Sequence, residues 1–251
     1  MRGFFTLLGR EVRHNFHQPL AYVVLFFFLL LTGFNANYTA NLLNHNSGIT
    51  SLVEAFFNNF LFWFPFVLVF PLITMRLFSE EYSSGTIETL MTAPIRDWQV
   101  ILAKFLGAFF LFVVLWAPSA LYFVIFQWIT GQNAAASGGS YCGAYALILL
   151  VGLFYLSIGC LASAMTKNQI VAAVVAFAII SMMFFLNLLS YLLPNQSLAL
   201  REITYYFSTV EHMAEFSRGM VDSRPVFYYL SMTAFTLFLT LHVFQYRRWK
   251  R

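Results

Sequence analysis

The chain reads as an all-α integral membrane protein: six transmembrane helices, an N-terminal amphipathic interface helix, a short helix in the second-to-third loop, and short outer helices between spans five and six. Three observations predict this. The 251 residues are 60% hydrophobic and only 10% charged, against about 25% charged in a soluble domain, which leaves too little polar surface to face water. Six apolar stretches are each long enough to cross about 30 Å of hydrocarbon as a helix of about 20 residues. The basic residues collect on one side of the resulting topology.

The first segment, residues 1–18, is an amphipathic cytoplasmic helix. Phe4, Phe5, Leu8, Val12 and Phe16 recur at intervals of three or four, while Arg2, Arg10, Arg13 and His17 lie elsewhere on the wheel. Such a helix rests in the headgroup plane, either as a simple anchor or as a lever touching a cytoplasmic partner. Pro19 breaks it before the first span. The apolar run from Leu20 is long and no small-residue cleavage site follows, so a cleavable signal is not expected.

The six spans fall near Leu20–Tyr38, Ala55–Phe78, Gln99–Trp128, Tyr141–Met165, Gln169–Leu193 and Val226–Tyr246. These lengths suit helices, since barrel strands alternate in polarity over about 10 residues. Pro65, Pro71 and Pro118 remove helix hydrogen bonds and favour kinks. In the fourth span Gly159 and Ser163, four apart, form a small face that permits close approach, within the protomer or against a second one. No span carries a charge near its centre, which argues against an ion-coupled secondary transporter.

Arg2, Arg10, Arg13, Arg76, Arg96, Lys104, Lys167, Arg247, Arg248, Lys250 and Arg251 make eleven of the fourteen Lys and Arg residues. They share one side, so both termini and the loop over 76–98 are expected in the cytoplasm of a multi-pass protein. The net charge of +4 sits at helix ends, where it serves topology and anionic headgroups, and nucleic acid is not an expected partner. Cys142 and Cys160 lie on one helix about 27 Å apart and cannot pair within the chain. No histidine has a second ligand at metal-binding spacing, so no metal site is expected. No GxxxxGK[ST] occurs, so the chain has no P-loop and no expected cofactor or catalytic residue of its own.

The outer connection, 194–224, is too long for a turn. Ser208 and Glu211 fit a capping box, and a short helix can run from there to Arg218, with Gly219 in a left-handed C-terminal position. Met213, Phe216 and Met220 would form its apolar face. The region serves as a lid on the bundle, or in substrate exit or docking of an outer protein.

The loop Met75–Lys104 is the densest polar interruption. Glu80 and Glu81 fall at the end of the second span, where the helix macrodipole disfavours carboxylates, so a basic group from Arg76, another segment or a partner is required. Gly85 permits a sharp turn, Thr86 is a reasonable N-cap, and Glu88 lies in the first turn of a short helix with Ile87, Leu90 and Met91 on one face. Pro94 stops it and Asp97 can cap the third span. A helix so short is marginal in water and must be docked, on its own bundle or on a partner.

The pattern at Arg76, Phe78, Glu80, Glu81, Gly85, Thr86, Glu88, Leu90 and Pro94 resembles that of the ABC-2 type transporter permease family, closest to the gliding-motility GldF-like branch. Stretches at Gly139–Leu150, Ser163–Ala172, Glu211–Ser231 and Tyr246–Trp249 carry the same resemblance along nearly the whole chain. It implies a single ABC-2 transmembrane domain over 1–251 in a bacterial inner membrane. It further implies a dimer with a second permease protomer, identical or paralogous, driven by cytoplasmic P-loop ATPase subunits that bind ATP and Mg and carry out hydrolysis in place of this chain. The resemblance makes Gly85, Thr86, Ile87, Glu88, Leu90 and Met91 a coupling helix on the ATPase, with Glu80 and Glu81 as struts and Pro94 as its stop. Glu211, His212, Glu215, Phe216, Arg218, Gly219 and Asp222 correspond to an outer re-entrant region. Tyr82, Ser83 and Ser84 stand where relatives often carry basic residues. Two other functions fit the same residues: a mechanotransmitting subunit that drives outer partner proteins without moving solute, and a membrane scaffold without ATPase coupling.

Overall fold

A computed structural model describes residues 2–45, 51–87, 95–131, 133–135, 137–192 and 206–249, and everything described is helix, turn or loop. Helix α1 (Arg2–His17) is followed, after Gln18, by α2 (Pro19–His45). Pro19 occupies the first turn of α2, where its missing N–H costs nothing. The first span runs seven residues beyond the predicted Tyr38. Local bonds carry it: Thr39 Oγ1 donates to Asn35 O at 2.8 Å, and Asn41 Nδ2 to Asn37 Oδ1 at 2.8 Å.

The predicted second span is divided. Helix α3 (Leu52–Asn58) is a separate short helix, and α4 (Phe60–Thr74) begins after a break at Asn59. Asn59 takes extended angles (φ −79°, ψ 142°) and its side chain accepts from Leu61 N, so an Asn–Asn pair acts as stop and start inside an apolar run. After residues 75–78 comes α5 (Ser79–Ser84). The third span is α6 (Asp97–Trp116) and α7 (Ser119–Thr130), joined at Pro118. Then follow α8 (Gly138–Met165), α9 (Gln169–Leu192), the short α10 (Thr209–Ser217) and α11 (Ser223–Trp249). Among the described residues, five stretches are long and apolar enough to cross a membrane: Pro19–Leu43, Phe60–Ser84, Asp97–Thr130, Gly138–Met165 and Ser223–Arg247. The first part of α9, Gln169–Phe185, is a shorter apolar helix.

Helix α8 is the hub, packing against α4, α6, α9, α10 and α11. Gly159 and Ser163 both face the second span within the protomer. Any side chain at Gly159 would overlap the Thr74 side chain, so the glycine lets Thr74 of α4 seat directly against the α8 backbone. Aromatic rings fill the centre: Phe62 and Trp116 at 5.4 Å, Phe70 and Phe112 at 5.2 Å, Phe70 and Tyr155 at 5.3 Å. Lipid is as apolar as these side chains, so their contribution comes from shape-matched packing rather than from escaping water.

Two details of α1 differ from the sequence expectation. Phe5 is 66% exposed, whereas Leu7 and Glu11 are 5% exposed. The helix has turned so that Leu7, Glu11 and Asn15 face α6, because Glu11 has a charged partner there and Phe5 loses nothing in a lipid surface.

Candidate functional site

The polar loop between spans two and three leaves the bundle through α5, and the surrounding elements fix that helix at every turn. Its first N–H groups have no partner from α4, since Phe78 (φ −120°, ψ −36°) is not helical. Ser163 of α8 supplies one: its Oγ accepts from Phe78 N at 3.0 Å and Ser79 N at 3.2 Å, and donates to Met75 O at 3.2 Å. One hydroxyl thereby satisfies the break that a membrane interior would otherwise penalise.

Glu80 and Glu81 lie in the last turns of the Phe60–Ser84 stretch, as expected, but there they stand in the first turn of a separate helix, α5. At that end of a helix a carboxylate is favourable, so the expected dipole conflict does not arise. The basic group required nearby is Lys104. Only 3% exposed on the second turn of α6, its Nζ lies 2.8 Å from Glu81 Oε1 and 3.3 Å from Glu11 Oε2. Arg10 closes the cluster at 2.9 Å from Glu11 Oε1 and 3.8 Å from Glu81 Oε1. Burial alone would raise the Glu11 carboxyl, but Lys104 and then Arg10 outweigh it and hold the group below its ordinary value. Three elements, α1, α5 and α6, therefore meet at one buried ammonium. Sequence reasoning missed Glu11, although it is the sole acid in residues 1–18.

The last span contributes as well. The Arg247 guanidinium lies over the Tyr82 ring, 4.7 Å from its centroid, and Nη2 donates to Met165 O. Phe244 packs on Phe78 with centroids 5.9 Å apart. Gly85 ends α5 at φ 73°, the left-handed conformation that a glycine adopts without strain. Ile87 is fully buried. Glu88, Leu90, Met91 and Pro94 lie outside the described residues. Asp97 is the first residue of α6 and not its cap: Arg96 holds that position, and its N–H donates to Gln99 Oε1 at 3.2 Å.

On the opposite face α10 docks on α3 and α8. Ser208 Oγ accepts from Glu211 N at 3.2 Å. Gly219 (φ 86°) ends the helix, with Gly219 N donating to Phe216 O and Met220 N to Glu215 O. Phe216 and Met213 are buried, but Met220 lies past the turn and is 56% exposed, so it does not share their face. Arg218 Nε meets Glu54 Oε1 at 2.7 Å, and Asp222 Oδ1 accepts from Arg224 N at 3.0 Å. The buried His212 ring pairs with Tyr229 Oη at 3.2 Å, and burial lowers its pKa despite the opposing pull of Glu215 and Asp222.

No metal-binding group of acidic, His or Cys side chains occurs among the described residues. Through these contacts α5 and its entry turn are tied to α1, α6, α8 and α11 together. A family model described as ABC-2 family transporter protein matches residues 17–244. No curated protein matches the chain.

Proposed function

Because the chain belongs to the ABC-2 transporter family and is a membrane subunit of that type, we propose that it is the permease of an ATP-driven exporter coupled to separate cytoplasmic P-loop ATPases. The ATPases bind ATP and Mg and hydrolyse the nucleotide; a second permease protomer, identical or paralogous, completes the pathway. The protein resides in a bacterial inner membrane with both termini and the 76–98 loop in the cytoplasm. One observation carries this reading: α5 and its entry turn are held by a buried ammonium, a serine, a guanidinium and an aromatic contact from three other helices. A loop that only joined two spans would have no use for such anchorage, whereas a loop pushed by a motor requires it. Closure of the ATPases on ATP moves the coupling segment, and the spans tilt as near-rigid bodies.

Co-expression with a candidate cytoplasmic P-loop ATPase tests this. The ATPase co-purifies with the wild type and is lost with Glu88→Arg or Leu90→Asp; undiminished association of both variants would sink the coupling role and return the chain to a membrane scaffold. The loop and outer motifs favour the GldF-like branch, and the outer lid pinned by Arg218 and Glu54 gives a second reading some weight: the same motion drives outer partner proteins without moving solute. ATP-dependent movement of a candidate solute in reconstituted vesicles separates the two.

A further inference from the structure

Two cavities on the α1 side of the bundle join into one amphipathic trough. The first, about 570 Å³, lies between α1, α2, the end of α4, α5 and α6 and is walled by charge. The second, about 480 Å³, is a nearly wholly apolar groove between α2, α4 and α9. Leu20, Val24 and Leu72 line both, so the polar chamber opens directly onto the groove. Along α2 the groove runs from Leu20 to Phe27, about 10 Å at about 1.5 Å per residue. That depth remains within one leaflet of a bilayer whose hydrocarbon is about 30 Å thick.

The polar chamber has charges of both signs left over. Lys104, Arg10 and Glu11 are spent on one another and on one oxygen of Glu81. Arg76 is not: its Nη1 reaches Gln18 Oε1 only at 3.5 Å, and its Nε is buried with no hydrogen-bond partner among the described residues. Glu80 Oε2, Glu81 Oε2 and Asn15 Nδ2 are buried and unpartnered in the same sense. Arg76 and Glu80 line the same chamber, yet they form no ion pair with each other among the described residues. A buried donor or acceptor left unpaired is costly, and more so when charged, so a chamber with one spare guanidinium and spare carboxylate oxygens is built around something that supplies both complements.

We propose that this trough holds one phospholipid of the α1-side leaflet whose headgroup carries a phosphate and a primary ammonium. The phosphate takes Arg76 and Asn15, the ammonium takes Glu80 and Glu81, and an acyl chain lies in the groove beside Leu72 and Phe177. A purely anionic headgroup would answer Arg76 but would bring a negative charge against Glu80. The site goes beyond the coupling role and does not depend on the ATPase.

Full-length protein, purified in mild detergent, is offered phosphatidylethanolamine and phosphatidylglycerol of matched chains at equal concentration, and retained lipid is counted by native mass spectrometry. The wild type keeps one phosphatidylethanolamine per protomer, at least fivefold over phosphatidylglycerol. Glu80→Gln erases that preference while binding persists; Arg76→Ala lowers retention of both at least fivefold; Arg224→Ala on the outer face changes neither. Glycerophosphoethanolamine, the headgroup without chains, does not displace the lipid at tenfold excess. Equal retention of the two lipids by the wild type overturns the proposal, and that comparison needs no variant to fold. Displacement by the free headgroup overturns the lipid in favour of a soluble zwitterion. A dimer that carries no lipid shows the groove is filled by a second copy and also refutes it.

Discussion

Lys104→Met removes an ammonium and keeps the length and apolar body of the side chain. Lys104 and Glu11 have side chains 3% and 6% exposed, and Arg10, the remaining cation at Glu11, is 57% exposed. The substitution therefore leaves two carboxylates facing each other across an apolar filler, with one solvent-screened guanidinium to share. Breaking a buried ion pair by deleting one partner costs about 3–5 kcal/mol. For a chain of this size each kcal/mol shifts the midpoint by about 2–4 °C, so the melting point in detergent should fall by about 6–20 °C. Adding Glu11→Gln should recover part of that loss, because the uncompensated charge is what destabilises; a coupling of about 1–3 kcal/mol is expected between groups in direct contact. An exposed pair such as Arg224 and Asp222, 3.9 Å apart, serves as the control and contributes at most about 1 kcal/mol. The reasoning fails if Lys104→Met melts with the control, or if the double variant is as damaged as the sum of its parts.

Ser163→Ala strips the acceptor from two backbone N–H groups. It should cost about 1–3 kcal/mol and hasten protease cleavage around Gly85, followed by limited proteolysis. Gly159→Ala overlaps Thr74 and should cost about 1–3 kcal/mol as overpacking; Gly159→Ala combined with Thr74→Ala should recover some of it in the same melt. Glu11 has a lowered pKa, so its contribution is present above the unfolded value near about 4.5 and is lost as pH falls through the lower folded value; Glu11→Gln should flatten that acid limb. Burial lowers the His212 pKa. The unfolded form therefore takes up a proton before the folded form does, so stability declines as pH falls from about 6.5 to the lower folded value, and His212→Gln should remove that decline.

Much of this fold was legible because the membrane makes each span declare itself by length. The break at Pro19 and the end of α10 at Gly219 were readable from helix-terminus chemistry, and the end of the fourth span at Met165 from the length of its apolar run. The break at Asn59 was not, because Phe60–Thr74 follows it with no loss of apolarity, and only the hydrogen bonds of Asn59 interrupt the helix. The need for a cation near Glu81 was derivable from charge alone, but its identity required knowing that α1, α5 and α6 converge. Glu11 was hidden for the same reason: on a helical wheel it belongs to a flank, and only packing against α6 makes that flank the inner face. Met220 was misassigned because the periodicity of α10 was extended past the glycine that ends it.

The pairing of Glu11 with Lys104 spans 93 residues, and it imposes an order on synthesis. Helix α1 emerges before α6, so the Glu11 carboxylate has no buried cation until the third span has been made. At about 5–20 residues per second, about 5–20 s pass between the two. During that interval Glu11 has only its neighbour Arg10 as a cation. Helix α1 is thus made well before the helix that fixes its buried face.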